Sequence, residues 1–137
     1  MPRLATWLIA LLLVAGCAST PASSTSEASP RGALAATVSV AGAATLRDDG
    51  AFVLDVREPA EWADAHIPGA TLIPLGELPS RLDEVPGDRS IVVVCRSGNR
   101  SAAGRDILLA AGFASVTSLD GGITDWAAAG MPIETGA

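Results

Sequence analysis

Two stretches of this chain read as strands with no wet side. Residues 90–95, "SIVVVC", are almost wholly apolar, and residues 51–56, "AFVLDV", are nearly so before the charged cluster at 55–58. A strand with one solvated face alternates apolar and polar residues, whereas a strand covered on both faces need not. Around these two runs lie segments with helical spacing. Pro59 stands where a first helical turn accepts proline, and Gly50 and Gly130 stand where helices stop. Strands alternating with helices define an α/β domain with a parallel central β-sheet and helices on both faces.

The remaining segments fill that plan. Residues 36–40, "ATVSV", read as a short strand followed by a helix to Gly50, and "REPAEWADAH" reads as a helix from Pro59. Residues 67–75, "IPGATLIPL", read as a loop with a short extended piece. Leu78, Leu82 and Val85 have helical spacing. A helix is expected over 101–111, with Ala103, Ile107 and Ala110 on its apolar stripe. "SVTSL" is a third strand, "DGG" a turn and "ITDWAAAG" a last helix. Open sheets of this kind bind ligands at the carboxyl ends of their strands. Cys95 occupies one such end, and Asp55, Arg57 and Glu58 cluster at another.

The chain starts differently. Arg3 precedes an apolar run at 4–14, then small residues and Cys17. That order is the pattern of an export signal. The run is shorter than the roughly 20 apolar residues a spanning helix needs. "VAGC", ending at Cys17, resembles the lipobox of bacterial lipoproteins. The resemblance implies a signal peptide at 1–16 and lipid on Cys17. The Ser-, Thr-, Ala- and Pro-rich stretch at 17–36 then reads as a flexible tether. The expected location is extracytoplasmic, with the membrane contacted through the lipid alone. With two cysteines in the chain, lipidation of Cys17 leaves Cys95 without a partner, hence a free reactive thiol or an intermolecular bridge.

Charge and composition narrow the chemistry. All nine basic residues are arginine, set against 15 acids, and the net charge of −6 gives nucleic-acid phosphates no attraction. His66 is the sole histidine, so no metal-ligand cluster is expected, and no cofactor.

The informative loop is "CRSGNRS", from Cys95 to Ser101. A cysteine between a strand end and a helix start receives backbone N–H groups and the positive end of the helix. Arg96 and Arg100 add charge, and Gly98 permits the turn. Each of these favours thiolate over thiol. Together Arg96, Ser97, Gly98, Asn99 and Arg100 read as an anion cradle around the nucleophile Cys95. Arg57 has two readings, a contact to the substrate anion or one half of an internal ion pair. His66 reads as a loop-packing residue, because a preformed thiolate needs no base.

Three segments in order, "LDVREPAEWADAHIPGA", "VCRSGNRS" and "LDGGITDWAAAGMPI", resemble the motifs of the rhodanese-like sulfurtransferases. The resemblance implies a single rhodanese-like domain at 37–137. It implies a sulfurtransferase that moves a sulfane sulfur through a Cys95 persulfide. The donor would be a small sulfur-containing anion such as thiosulfate. The acceptor would be a thiol or cyanide, or a partner protein. A sulfur-carrier or redox-sensing module serving one partner is the alternative. Phosphatases and arsenate reductases of this fold resemble a longer loop, with five residues between cysteine and arginine. Here four separate Cys95 from Arg100, and the next position is Ser101.

Overall fold

A computed structural model describes residues 32–137. The expected signal peptide, Cys17 and most of the tether lie outside the described residues. The elements run β1 (Thr37–Val38), α1 (Val40–Asp48), β2 (Phe52–Asp55), α2 (Pro59–Asp64), β3 (Thr71–Leu72), β4 (Ile91–Val94), α3 (Asn99–Ala110), β5 (Val116–Leu119) and α4 (Gly122–Ala128). The five strands form one sheet in the order β1-β5-β4-β2-β3, with every pairing parallel.

Strand β4 lies at the centre, and its composition follows from that place. All four of its residues are buried, and they divide between two cores by the two-residue period of a strand. Ile91, Val93 and then Cys95 face a core shared with Leu108 of α3, Leu54, Val56 and Ile73. Val92 and Val94 face the other core, with Ala43 of α1 and Ile123 and Trp126 of α4. Cys95 therefore continues the face that looks toward α3. Helices cover both faces, as the uninterrupted apolar runs demand.

Two details depart from expectation. The stretch at 78–85 is not one helix but two short 3-10 turns, Leu78–Ser80 and Leu82–Glu84. Arg81 interrupts them at φ −126°, and Pro86 drives Val85 into extended backbone. Leu78 and Val85 still reach the core. Helix α3 starts at Asn99, and its buried face carries Ser101, Gly104 and Leu108 rather than Ala103, Ile107 and Ala110. Ala103 and Ala110 are exposed, and Ile107 is half-buried. The helix lies so close to the sheet that a Cβ on Gly104 would come within 3.2 Å of Val93 and 3.3 Å of Val56.

The C-terminal segment returns as a strap. Glu134 and His66 exchange backbone hydrogen bonds, each 2.8 Å, and Gly136 N–H donates to Ala63 O at 2.8 Å. Trp126 Nε1 donates to Pro132 O at 2.8 Å. His66 stacks on Trp62 with centroids 3.8 Å apart, its Nδ1 3.0 Å from Trp62 O.

Candidate active site

The site forms where β4 ends and α3 begins. Gly98 sits at φ +107°, a conformation that favours glycine, and its N–H points at Cys95 Sγ from 3.1 Å. The loop is gripped from outside by α4. Ile123 N–H donates to Cys95 O at 2.9 Å. Thr124 donates to Arg96 O through its N–H at 3.2 Å and its hydroxyl at 2.8 Å. Gly122, at φ +58°, permits this close approach, since a Cβ there would collide with the backbone of Cys95 and Arg96.

Cys95 is 1% exposed. Burial pushes its thiol up. The Ser101 hydroxyl and the backbone N–H groups of Ser101, Ser97 and Gly98 pull it down, and the outcome lies below the ordinary thiol value. The Ser101 oxygen is 3.5 Å from Sγ, and Ser101 in turn bonds Gly98 O at 2.9 Å and the hydroxyl of Ser118 at 2.7 Å. Ser97 contributes its backbone, while its side chain and that of Asn99 are exposed. Asn99 opens α3.

The arginines differ. Arg100 makes a bidentate pair with Glu61 of α2, both contacts 2.7 Å, joining the active loop to the neighbouring corner. That guanidinium holds the Glu61 carboxyl down to about 2. Arg57 is 3% exposed and clasps Asp55, with Nη2 at 2.7 Å and Nε at 3.0 Å. It also donates to Glu61 O at 3.2 Å and Ala65 O at 2.7 Å. Arg96 is exposed, and among the described residues its side chain has no hydrogen-bond partner. It borders a cavity of about 290 Å³ whose walls include Arg57, Glu61, Asp64, Ile123 and Thr124.

Sequence reasoning left Glu61, Ser101 and Ser118 without roles. A serine inside the all-buried strand β5 was the readable signal, because a buried hydroxyl needs a partner. Glu61 left no such signal.

This parallel sheet, with a cysteine loop at the end of its central strand, is the architecture of a rhodanese-like domain. The chain belongs to the rhodanese-like domain family, whose model matches residues 39–129. A sulfurtransferase of Allochromatium vinosum is 43% identical over 82 residues, covering 60% of this chain and 77% of that protein. A putative sulfur carrier protein of Bacillus subtilis is 39% identical over 79 residues, and the chain spans only 43% of that protein's length. A rhodanese-related protein from Thermoplasma volcanium superposes with a TM-score of 0.68 at 31% identity, covering 73% of this chain and 98% of that one.

Proposed function

We propose that this chain is a sulfurtransferase that takes the outer sulfur of a small anionic donor, thiosulfate, onto Cys95 and passes it to a thiol or to cyanide. The carrying observation is Sγ held at the floor of a loop, with the Gly98 N–H donating to it from 3.1 Å, the Ser101 hydroxyl oxygen 3.5 Å away and Arg96 exposed at the edge of the neighbouring cavity.

In the first step the Cys95 thiolate attacks the outer sulfur of thiosulfate. A new S–S bond forms, the donor's S–S bond breaks, and sulfite leaves with the electron pair. The persulfide retains the negative charge, facing the same loop donors. Arg96 meets the anionic end of the donor. In the second step an acceptor anion attacks the terminal sulfur and the Cys95 thiolate departs; cyanide becomes thiocyanate. Two half-reactions on one nucleophile give ping-pong kinetics. A phosphatase reading lacks support from the loop, which closes at Arg100, with a buried serine at 101.

Thiosulfate should add one sulfur to the protein, and cyanide should remove it. Cys95→Ser should lose both half-reactions, because an alcohol stays un-ionised near neutrality. Mass spectrometry of intact protein reads both, and transfer surviving in the mutant defeats the proposal. The near-complete burial of Cys95 and the likeness to a sulfur carrier favour a second reading, delivery to one partner protein. Multiple turnover with small thiols favours the enzyme; discharge to a protein alone favours the carrier.

The same proposal includes the address. The "VAGC" pattern supports an extracytoplasmic protein anchored by lipid on Cys17. Cys17→Ser should remove the lipid and release the protein from the membrane fraction. A mutant that stays lipidated at normal levels overturns this part.

A further inference from the structure

Ser118 takes no part in the steps above, yet it is 1% exposed, and its hydroxyl lies 2.7 Å from that of Ser101. A buried hydroxyl needs an acceptor for its proton. Among the described residues, Ser101 Oγ is the hydrogen-bond partner of the Ser118 side chain. The consistent arrangement has Ser118 donating and Ser101 accepting.

Ser101 has one proton and three polar neighbours: Ser118 Oγ, Gly98 O at 2.9 Å and Cys95 Sγ at 3.5 Å. With Cys95 as a thiol, all three contacts are used. Ser118 and the S–H donate into the two lone pairs of Ser101, and Ser101 donates to Gly98 O. Ionisation removes the S–H and leaves a negative sulfur facing Ser101. Rotation about the Cβ–Oγ bond turns the Ser101 proton from Gly98 O to sulfur without moving a heavy atom. Gly98 O is not stranded by this, because Ala102 N–H donates to it at 3.1 Å. Ser118 continues to donate, and a hydroxyl that accepts a hydrogen bond is a stronger donor.

We infer that Ser118 is a positioning residue: with Ser101 it forms a two-hydroxyl relay that turns its hydrogen bond onto Cys95 when the sulfur becomes negative. The inference rests on Cys95 being the reactive thiolate of the proposed reaction. Other charges surround the thiol. Arg96 and Arg100 belong to its own loop, and Glu61 of α2 is paired with Arg100. The Asp55–Arg57 pair closes β2, and Asp120 and Asp125 flank the turn into α4. Ser118 hydrogen-bonds none of them, so its removal leaves those pairs in place.

The test is alkylation of Cys95 by iodoacetamide across pH in the full chain, followed on the Cys95 peptide by mass spectrometry. Ser101→Ala should raise the midpoint by about one pH unit, the size of one lost hydrogen bond to a charge. Ser118→Ala should raise it by less, about 0.2 unit, the fraction by which one hydrogen bond strengthens the next. Ser118→Thr, which keeps the hydroxyl, should retain the wild-type midpoint. In a Ser101→Ala background, Ser118→Ala should add nothing, because the relay is already cut. A wild-type midpoint in Ser118→Ala overturns the inference, and so does an equal shift with and without Ser101. Thiosulfate loading separates the two failures. If wild-type Cys95 loads but Ser118→Ala does not shift, the reaction stands and the relay falls. If the midpoints move as expected but Cys95 never loads, the relay stands and the reaction falls.

Discussion

The corner after β2 and the loop after β4 lie side by side at the carboxyl end of the sheet, and they are built in opposite ways. At the corner, side chains hold the backbone: Arg57 clasps Asp55 and ties down the carbonyls of Glu61 and Ala65. In the loop, α4 holds the backbone: the N–H groups of Ile123 and Thr124 and the Thr124 hydroxyl donate to the carbonyls of Cys95 and Arg96, while among the described residues the Arg96 side chain has no hydrogen-bond partner. The corner engages its buried arginine fully, whereas the loop pairs Arg100 with Glu61 and leaves Arg96 exposed at the cavity edge. Arg57 and Arg96 border the same cavity, so position alone does not tell them apart. What distinguishes them is how many of their donors are already engaged.

Arg57→Ala should show the largest effect on stability. It leaves Asp55 buried and unpaired, which costs about 3–5 kcal/mol. Denaturant unfolding measures it. A loss below about 1 kcal/mol would place Arg57 with the exposed pairs and break the comparison.

Arg96→Ala should do the reverse. KM for thiosulfate should rise about tenfold, equivalent to roughly 1.4 kcal/mol of binding, with kcat changed far less. Stability should stay within about 0.5 kcal/mol of wild type. Steady-state kinetics and the same unfolding curves decide it. A collapse of kcat with KM unchanged would move Arg96 from binding the donor to the chemical step.

Glu61 bridges the two regions and should show the smallest effect. Its folded value of about 2 lies below the ordinary 4.5, so its pairing with Arg100 stabilises fully above the ordinary value. The contribution is lost as pH falls through the interval toward about 2. The gap in melting temperature between wild type and Glu61→Gln should therefore be present at neutral pH and close in acid. Both partners are about one-third exposed, and the energy involved is under about 1 kcal/mol. A gap that stays constant down to the acid limit would uncouple the corner from the loop.

The parts of the molecule that were legible in the chain were those encoded locally. Strand β4 announced its two-sided burial through an unbroken apolar run, and the cysteine loop through its glycine and arginines. Helix α3 was misread because its buried face is made of Ser101, Gly104 and Leu108. Small residues permit close approach to a sheet, yet they look like surface beside the alanines. The strand at Ser118 advertised an unmet hydrogen bond without naming its partner. Glu61 was silent because its partner lies 39 residues away, and an acid in a helix's first turn already has a local explanation.

The grip of α4 on the loop also bears on how such a site can diversify. Gly122 brings the start of α4 against Cys95 and Arg96 so closely that no side chain fits between them. The curvature of the loop is thereby imposed from a different part of the chain. Ser97 and Asn99, whose side chains point to solvent, carry little of that constraint. They are the natural positions for a combinatorial library, since their side chains can be exchanged while the scaffold that shapes the cysteine loop is inherited unchanged.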